Sequence, residues 1–498
     1  MDADVIVVGG GGAGLAAAAE AAGLGRHVVL LEKGDRLGGS TAWSVGSISV
    51  SNTPQQRRVG ILDHPDAHFE DLETLAGAMA NRDNRALRRL LVDNITDTFA
   101  WLEAAGLVFT GPNPEPPHRL PRMHNVLPNS RAFPEMLGRL CRKRGVDIRL
   151  AVVADSLIVE DGRVVGVKAR PVHGGITIEV RARAGVVLAG GDFAANREMK
   201  LAHAGPATAE LQAVNPGATG EAISIGLAAG ATLVNGDIVR GPIMRFVPPA
   251  KESLLRRLPP QRWLALVLAF AQDWLPERIK RPFAMSFLVT ALGPARGLFE
   301  AGAILVNREG RRFTDELGRP GEAVPSQPER EAYIVMDAGT AGRFSAWPNF
   351  VSTAPGVAYA YMADYKRSRP DLFHEAPDAD GLAISIGVPA AALSQTIADS
   401  GKDGRPQLAP GPLVALGPVR SYVVFTDGGL RVTERLEVTG RDDEPIPGLY
   451  AAGSTGQGGV LLEGHGHHLG WAFVSGRIAG RHAALDVGAR LPDAKAQR

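Results

Sequence analysis

The chain has 498 residues, of which 45% are hydrophobic, and its formal net charge at pH 7 is +1. A chain of this length can bury a large core and is expected to form two domains, and its balanced charge gives no reason to expect a nucleic acid as a partner. A single cysteine, Cys141, excludes an internal disulfide, an iron–sulfur cluster and a multi-cysteine metal site, so we predict no bound metal. The sequence begins in a strand pattern without a signal peptide and has no run of about 20 apolar residues, which predicts a cytoplasmic protein.

The first 32 residues predict a dinucleotide-binding βαβ unit. Residues 5–8 are typical of a buried strand, and Gly9, Gly11 and Gly14 follow at G-x-G-x-x-G spacing before a small-residue helix and a second strand that ends at Glu32. The first glycine permits a tight turn, the second lets a pyrophosphate approach the backbone, and the third lets the helix pack on the sheet. The helix N-terminus attracts phosphate, and an acid at the position of Glu32 binds a ribose hydroxyl. The glycine spacing alone is weak evidence for a nucleotide site. The strand, glycines, helix, second strand and acid in this order and at this spacing are strong evidence for one.

The segment after the second strand, residues 33–44, reads KGDRLGGSTAWS. It resembles the second segment of FAD enzymes of the glutathione-reductase-like class, E-K-x-x-x-x-G-G-x-[ST]. The resemblance implies that residues 38–40 run along the flavin diphosphate. Covalent relatives attach their flavin to a histidine at the turn that Ser40 and Thr41 occupy here, so the resemblance implies non-covalent FAD.

Several elements are predicted between this segment and the next motif, among them a long helix, a helix over residues 131–145, a strand over residues 146–150 and a hairpin. Residues 64–105 have apolar residues at helical spacing and predict one long helix that ends at Gly106. Two strand patterns within residues 158–167 flank an Asp-Gly turn and predict a β-hairpin. In the flavoprotein class this hairpin covers the adenosine, and Val153 would offer its backbone to the adenine.

Three further segments resemble the flavoproteins of the fumarate reductase and ketosteroid dehydrogenase superfamily. Residues 189–196, AGGDFAAN, resemble its ATGG-F turn, and residues 215–222, NPGATGEA, resemble its TGDG segment, with Glu221 and Ala222 in place of Asp and Gly. Residues 447–454, PGLYAAGS, match its PGLYAAGE strand and turn. Together the resembling segments cover about the first 235 and the last 80 residues.

The resemblance implies an α/β fold, in which a discontinuous Rossmann-like FAD-binding domain of the glutathione-reductase-like class carries an inserted α+β cap domain. Residues 302–316 resemble the GAI-VN-G-RF--E run of that cap. The implied FAD-binding domain comprises residues 1–237 and 412–498, the cap comprises residues 238–411, and the substrate would lie between them over the flavin. The residues implied to bind FAD are Gly9, Gly11, Gly12, Ala13, Gly14, Glu32, Lys33, Gly38, Gly39, Ser40, Thr41, Val153, Ala189, Gly190, Gly191, Asn196, Thr219, Gly220, Glu221, Gly453 and Leu469.

The electron partner is not encoded in a recognisable motif. No second G-x-G-x-x-G follows a strand pattern, and there is no redox cysteine pair. A glutathione-reductase-like NAD(P)H domain is therefore not expected. The flavin must exchange electrons with a small-molecule substrate and with a separate donor or acceptor.

The motifs that carry catalysis in the two branches of the superfamily are only partly present. The fumarate reductase branch uses arginines and histidines around a dicarboxylate; here Arg319 lies one residue before the expected cap arginine, and His468 replaces the arginine of the H-G-x-N-R-L-G run. The ketosteroid dehydrogenase branch uses tyrosines and backbone N–H groups around a ketone. Its closing segment, G-x-T-I-G-P-A, aligns with residues 466–472, but residues 461–464 lack its tyrosine.

Four residues are the catalytic candidates. His467 and His468, in a cluster with His465, could transfer a proton or polarise a carbonyl, or could have a structural role, and we favour His468. Tyr422 could donate to a carbonyl, and Arg319 could bind a carboxylate. We predict an FAD-dependent oxidoreductase acting on a CH–CH group next to the carbonyl of a bulky apolar ketone, steroid-like or terpenoid-like. The alternatives are a fumarate-reductase-like reductase of small unsaturated acids and a flavin-binding redox sensor or carrier without efficient turnover.

An apolar stretch with basic flanks occurs within the implied cap. Residues 263–270 read WLALVLAF, arginines and a lysine surround them, and a second apolar stretch covers residues 283–292. Because each stretch is too short to span a bilayer, residues 254–292 are interpreted as a peripheral membrane contact or as the lip of an apolar tunnel. The third interpretation is a buried cap helix with a solvated basic end.

Overall fold

The computed structural model describes residues 2–249, 258–274, 281, 285, 292–354 and 358–486. Within these ranges the strands, numbered β1 to β23 in chain order, are Asp2–Val8, Val28–Leu31, Ser47–Ser49, Val108–Asn113, Met123–Leu127, Asp147–Arg149, Val152–Glu160, Arg163–Pro171, Ile178–Leu188, Gln212–Ala213, Leu233–Val234, Val239–Arg240, Ile243–Phe246, Ile304–Val306, Ala332–Asp337, Ser352–Ala354, Ala358–Ala360, Phe373–Ala376, Leu413–Val423, Phe425–Thr426, Gly429–Leu430, Glu437–Thr439 and Pro445–Ala451.

The α-helices of the same ranges, numbered α1 to α17 in chain order, are Gly12–Gly23, Gly39–Trp43, Pro54–Arg58, Pro65–Ala76, Arg85–Ala104, Ala132–Lys143, Arg197–Ala204, Pro206–Ala209, Glu221–Ala228, Arg262–Trp274, Arg296–Glu300, Pro320–Ala323, Ala338–Arg343, Met362–Ser368, Ala379–Ile386, Ala390–Ala398 and His467–Leu485. Short 3₁₀ helices cover Gly77–Arg82, Val324–Ser326 and Pro328–Arg330. Within these described ranges, every helix is too short or too polar to reach across a bilayer.

The first sheet has the strand order β22-β23-β9-β1-β2-β6. Strand β1 runs parallel to both β2 and β9, and β9 runs parallel to β23. The apolar side chains of β1 and β2 are buried, as expected for central parallel strands that are covered on both faces. The predicted hairpin, β7 and β8, extends this sheet through β9. The Rossmann-like nucleotide-binding fold that was predicted from the first 32 residues is confirmed.

Helix α1 connects β1 to β2 and packs against the last helix, α17. Ideal Cβ atoms built on Gly476 and Gly480 of α17 would lie 2.3 Å from the carbonyl oxygens of Ala13 and Ala17 in α1. Only glycine permits this separation, because a real side chain would collide with the backbone of the neighbouring helix. Helix α17 is thereby fixed beside the glycine-rich turn that precedes α1.

The second sheet is built around the long strand β19. Strands β13, β15 and β18 pair antiparallel with β19, and β14 pairs with β15. Separate apolar clusters lie on this sheet, which together with its helices forms the α+β part of the fold. The predicted domain boundaries remain predictions. Because β19 begins at Leu413 and belongs to this sheet, we propose that the cap ends after Val423 and not at residue 411.

The predicted single helix over residues 64–105 is wrong. Helix α4 ends at Ala76, and Gly77 has a φ of 53°, which interrupts the helical hydrogen bonds. Asp83 follows in an extended conformation, where its carboxylate accepts a hydrogen bond from the backbone N–H of Leu461 and pairs with Arg88 of α5. A contact with the distant C-terminal segment therefore decides where the second helix begins.

Candidate active site

A cavity of about 490 Å³ lies at the carboxyl ends of β1, β2, β9 and β23, which is the edge where parallel sheets bind nucleotides. Its lining comes from every segment that was predicted to bind FAD. The predicted residues that line it are Gly9, Gly11, Gly12, Ala13, Glu32, Lys33, Gly39, Ser40, Thr41, Val153, Ala189, Gly190, Gly191, Glu221 and Gly453.

The cavity has the chemistry that a dinucleotide requires. An ideal Cβ on Gly11 would meet only the carbonyl oxygen of Gly38, at 3.9 Å, so the missing side chain leaves room on the cavity side for a phosphate. Glu32 also lines the cavity, and its orientation is fixed because its two carboxylate oxygens accept the backbone N–H groups of Gly10 and Gly34, both at 2.6 Å. Gly11 precedes α1, whose N-terminus points positive partial charge at the same space. These residues fit FAD.

Six residues that were predicted to bind FAD do not line the cavity; these are Gly14, Gly38, Asn196, Thr219, Gly220 and Leu469. Asn196 instead caps α7, because its side chain accepts the N–H of Met199 and donates to the carbonyl of Thr219. Gly14 packs directly over the carbonyl of Gly9. These residues shape the elements behind the cavity and do not contact its space.

Sequence reasoning also missed residues that line the cavity. Trp43, Arg131, Asn215, Ser454 and Ala472 come from loops and helix ends beside the predicted motifs. The sequence around Arg131 carried no signal for a cofactor site. Asn215 could have been noticed, since it opens the segment that resembled TGDG and its side chain donates to Ser40 at 2.8 Å.

His467, the second catalytic candidate, does not have a free ring nitrogen. Its Nδ1 lies 2.6 Å from the carbonyl oxygen of Glu463, and its Nε2 lies 3.1 Å from Nε2 of His68. Burial lowers the pKa of His467 well below the usual range, and the neighbouring His118 lowers it further. A catalytic role for His467 is therefore not supported, because both nitrogens are committed to protein groups.

His468, the favoured candidate, is only partly exposed. Its ring lies 3.9 Å from that of Phe425, and its Nε2 lies 3.8 Å from Oδ1 of Asp427 without forming a hydrogen bond. Burial lowers the pKa of His468 to about 4, despite the attraction of Asp427. The imidazole is thus neutral near pH 7, so it is a poor proton donor.

A buried ionic network lies behind His468. Asp427 accepts from Arg240 at 2.7 Å and from Gln457 at 3.0 Å, and the same Arg240 also pairs with Glu463. Since Glu463 in turn contacts His467 through its carbonyl, this network ties β12 to the segment that leads into α17. The network holds residues 465–468, which contain the three histidines, in place.

His465 has the geometry that an acid–base residue needs. Its Nδ1 lies 2.5 Å from Oε1 of Glu115, which also accepts the backbone N–H of His465 at 2.6 Å. Glu115 is 6% exposed, whereas the side chain of His465 is about half exposed. The hydrogen bond to Glu115 raises the pKa of His465, against the effect of burial and of Arg245. A histidine held this way presents its other nitrogen and stays protonated to a higher pH.

Strands β13 and β19 place two arginines, a tyrosine and an isoleucine on one face of the second sheet. Ile243 pairs with Tyr422 and Arg245 pairs with Arg420, so the four side chains share that face. Arg420 is neutralised by Glu331, 2.6 Å away. Within the described part of the chain, Arg245 pairs with no carboxylate, and its Nε is buried without a hydrogen bond. Burial lowers the pKa of Arg245, and the phenol of Tyr422 acts in the opposite direction.

Arg319, the last candidate, lies on the surface. Its side chain is 84% exposed and pairs with Glu322, at 3.2 Å. It borders a second cavity, of about 620 Å³, which Pro242, Ile243 and Phe299 also line. Arg319 does not line the FAD cavity, and neither do His467, His468, Tyr422, His465 or Arg245.

The fold and the cavity define the class: a flavoprotein with a glycine-rich dinucleotide site and a second domain beside it. The chain belongs to the family described as "FAD binding domain", whose profile matches residues 4–248 and 271–462. It is 28% identical to a fumarate reductase (cytochrome) of Shewanella frigidimarina, over 97% of this chain and 77% of that protein. It is also 28% identical to a urocanate reductase of Eggerthella lenta, over 97% of this chain and 75% of that protein.

Two solved structures have the same fold. The open conformation of a flavocytochrome c3 fumarate reductase aligns with a TM-score of 0.74 and 23% identity, over 98% of this chain and 78% of that one. A 3-ketosteroid-Δ4-(5α)-dehydrogenase from Rhodococcus jostii RHA1 aligns with a TM-score of 0.61 and 26% identity, over 97% of both chains. The protein is an FAD-dependent oxidoreductase of the fumarate reductase superfamily that acts on CH–CH groups, as predicted.

Proposed function

We propose that the protein reduces a C=C bond conjugated to a carboxylate, using Arg245 to bind the carboxylate and His465 to donate the proton. The observation that carries this proposal is the guanidinium of Arg245, half-buried beside Tyr422 with no acid paired to it in the described residues. Burying a charge without a partner is costly, so such a site favours an anionic ligand. This proposal replaces the bulky neutral ketone by the acid that was the second prediction.

The pairing of His465 with Glu115 supports the reducing direction of the reaction. When bound, FAD supplies the hydride-transfer chemistry. Reduction adds that hydride to one carbon of the double bond and a proton to the other, so a proton donor must be available. The hydrogen bond to Glu115 raises the pKa of His465, so the imidazole stays protonated to a higher pH, which favours donation over abstraction.

The relatives support a reductase of this kind. Their names include urocanate reductase, acrylate reductase flavoprotein subunit and vinyl phenol reductase, of which the first two act on unsaturated carboxylates. We also propose that a separate electron carrier reduces the flavin, because the sequence contains no second dinucleotide motif and the fumarate reductase relative is named for a cytochrome.

A neutral enone or ketone is the second candidate substrate. Tyr422 favours it, because burial raises the pKa of this phenol and so keeps its proton available for a carbonyl oxygen. The apolar residues Pro242, Ile243 and Phe299 beside the second cavity would suit a larger carbon skeleton. The two candidates differ in the charge of the oxygen group that the site must hold.

The experiment compares charged and neutral substrates on the dithionite-reduced protein without oxygen. Fumarate, acrylate, urocanate and 4-hydroxycinnamate are mixed with it, each beside its methyl ester, and flavin absorbance is followed; 4-androstene-3,17-dione tests the oxidised and reduced forms. We expect an acid to reoxidise the flavin and its ester to react far more slowly. Arg245→Gln should lower kcat/KM for the acid about 10- to 100-fold, as for the loss of a charge-assisted hydrogen bond. The exposed Arg330→Gln is the control, and equal rates with acid and ester would contradict the proposal.

A further inference from the structure

Helix α10, Arg262–Trp274, exposes a continuous row of large apolar side chains. Trp263, Leu266, Val267, Phe270 and Trp274 are each half or more exposed. Their spacing of three, four, seven and eleven residues from the first places them on one face of the helix. Single exposed apolar residues are common, but a row of five marks an interaction surface.

The opposite side of the helix attaches it to the body of the protein. Ala265 is 2% exposed, and α10 packs against β4 and β5. Gln261, just before the helix, accepts a hydrogen bond from Arg139 of α6 at 3.1 Å. The interpretation of this stretch as a buried cap helix is therefore wrong. The second apolar stretch, residues 283–292, lies outside the described residues except for Met285 and Leu292.

The shape and charge of the segment select one occupant for this apolar face. A helix of 13 residues is about 20 Å long, which is too short to cross the roughly 30 Å apolar core of a bilayer. The sequence from residue 251 to 281 contains seven lysines and arginines against three acidic residues. Tryptophans stand near both ends of the apolar row, a position that indole favours where water meets lipid.

We propose that α10 lies flat on the surface of a membrane rich in anionic phospholipids, with its apolar row inserted among the acyl chains. Basic residues that flank an apolar helix in the sequence complement the charge of such a surface. A second copy of the chain is the less suitable occupant. A two-fold contact through this face would bring two positively charged segments together.

The test uses the FAD-loaded protein and vesicle flotation. We expect it to float with phosphatidylcholine vesicles that contain phosphatidylglycerol, and to float much less with pure phosphatidylcholine or at high salt. The variant Phe270→Ser/Trp274→Ser should lower the partition coefficient at least about tenfold. Ile384→Ser, which removes an apolar side chain that is 82% exposed on α15, is the matched control and should float like the parent.

A second measurement separates insertion from adsorption. Brominated lipids should quench tryptophan fluorescence in the parent, and Trp263→Phe/Trp274→Phe should lose most of that quenching while still floating. Flavin absorbance and melting temperature, which should not change, show that each variant is folded. The proposal is overturned if the parent does not float, if Phe270→Ser/Trp274→Ser floats equally well, or if light scattering shows a dimer that this variant abolishes.

Discussion

The FAD cavity and the proposed proton-donor end are built in different ways. The cradle for FAD is made of backbone and small residues from short consecutive segments, and the contact between Glu32 and Gly10 spans 22 residues. The proposed proton-donor end, the pair of His465 and Glu115, is made of side chains from distant segments, and their contact spans 350 residues. A binding site built from short consecutive segments leaves a pattern in the sequence. A pair of side chains from distant segments, such as His465 and Glu115, is brought together only by the fold.

The largest effect is expected in the cradle. Gly11→Val should reduce the FAD content of the purified protein to background, because the new side chain would occupy the space of the pyrophosphate. Gly11 has a φ of −76°, which any residue adopts, so the backbone should not be strained. Absorbance near 450 nm and bound flavin after gel filtration measure the loss.

The control for this variant is another glycine with free space. Gly342→Val lies on α13, where an ideal Cβ meets nothing within 4 Å. It should bind FAD like the parent. If Gly11→Val also retained FAD, the identification of this cavity as the dinucleotide site would be wrong.

At the proton-donor end the expected effect is kinetic. His465→Ala should lower the rate of substrate reduction by roughly 10²–10⁴-fold while FAD stays bound, as for the loss of a general acid. His468→Ala should have a much smaller effect, because its imidazole is neutral near pH 7. Stopped-flow reoxidation of the reduced flavin measures both variants. The reverse order of effects would restore His468 as the catalytic residue.

The pH profile tests the role of Glu115 separately. The hydrogen bond to Glu115 raises the pKa of His465, so the protonated donor is present at low pH and is lost as the pH rises through this raised value. Glu115→Gln removes the charge but keeps an acceptor for the backbone N–H of His465. The alkaline limb of the rate should therefore move to lower pH. An unchanged limb would show that a different group donates the proton.

The sequence predicted the cradle because its requirements are local. A turn that needs glycine, an acid at the end of a strand and a hairpin around an Asp-Gly turn each leave a short pattern, and Gly11, Glu32 and Val153 all line the cavity. Asn196 shows the limit of this reasoning, since a motif residue near the cofactor can instead cap a helix. Arg245 left no pattern at all. An arginine becomes a candidate for binding an anion when no acidic side chain lies beside it. The side chains beside Arg245 are determined by the strand pairing in the second sheet.

Arg122 is the centre of a buried cluster of charged groups, and removing one of its partners is expected to lower the stability of the protein. Arg122 and Asp63 have fully buried side chains 2.7 Å apart, and Arg122 also contacts His118 and Asp71. Asp63→Asn leaves the guanidinium partly uncompensated and should lower the free energy of unfolding by about 3–5 kcal/mol. Glu300→Gln, in an exposed pair with Arg296, should change it by less than about 0.5 kcal/mol. Urea unfolding of the FAD-loaded proteins measures both, and equal effects would contradict the role of burial.

The smallest effect is expected at Arg319, the residue that the fumarate reductase motif favoured. Its side chain is 84% exposed and, among the described residues, pairs with the exposed Glu322 alone, so Arg319→Ala should leave stability within about 0.5 kcal/mol of the parent. Turnover should stay within about threefold, because the side chain lies mostly in solvent and already pairs with Glu322. Steady-state kcat and KM with the substrate found in the screen measure this. A 100-fold loss in kcat would show that the two domains close during turnover and bring Arg319 to the substrate. The proton-donor end would then depend on a domain motion and not on the fold alone.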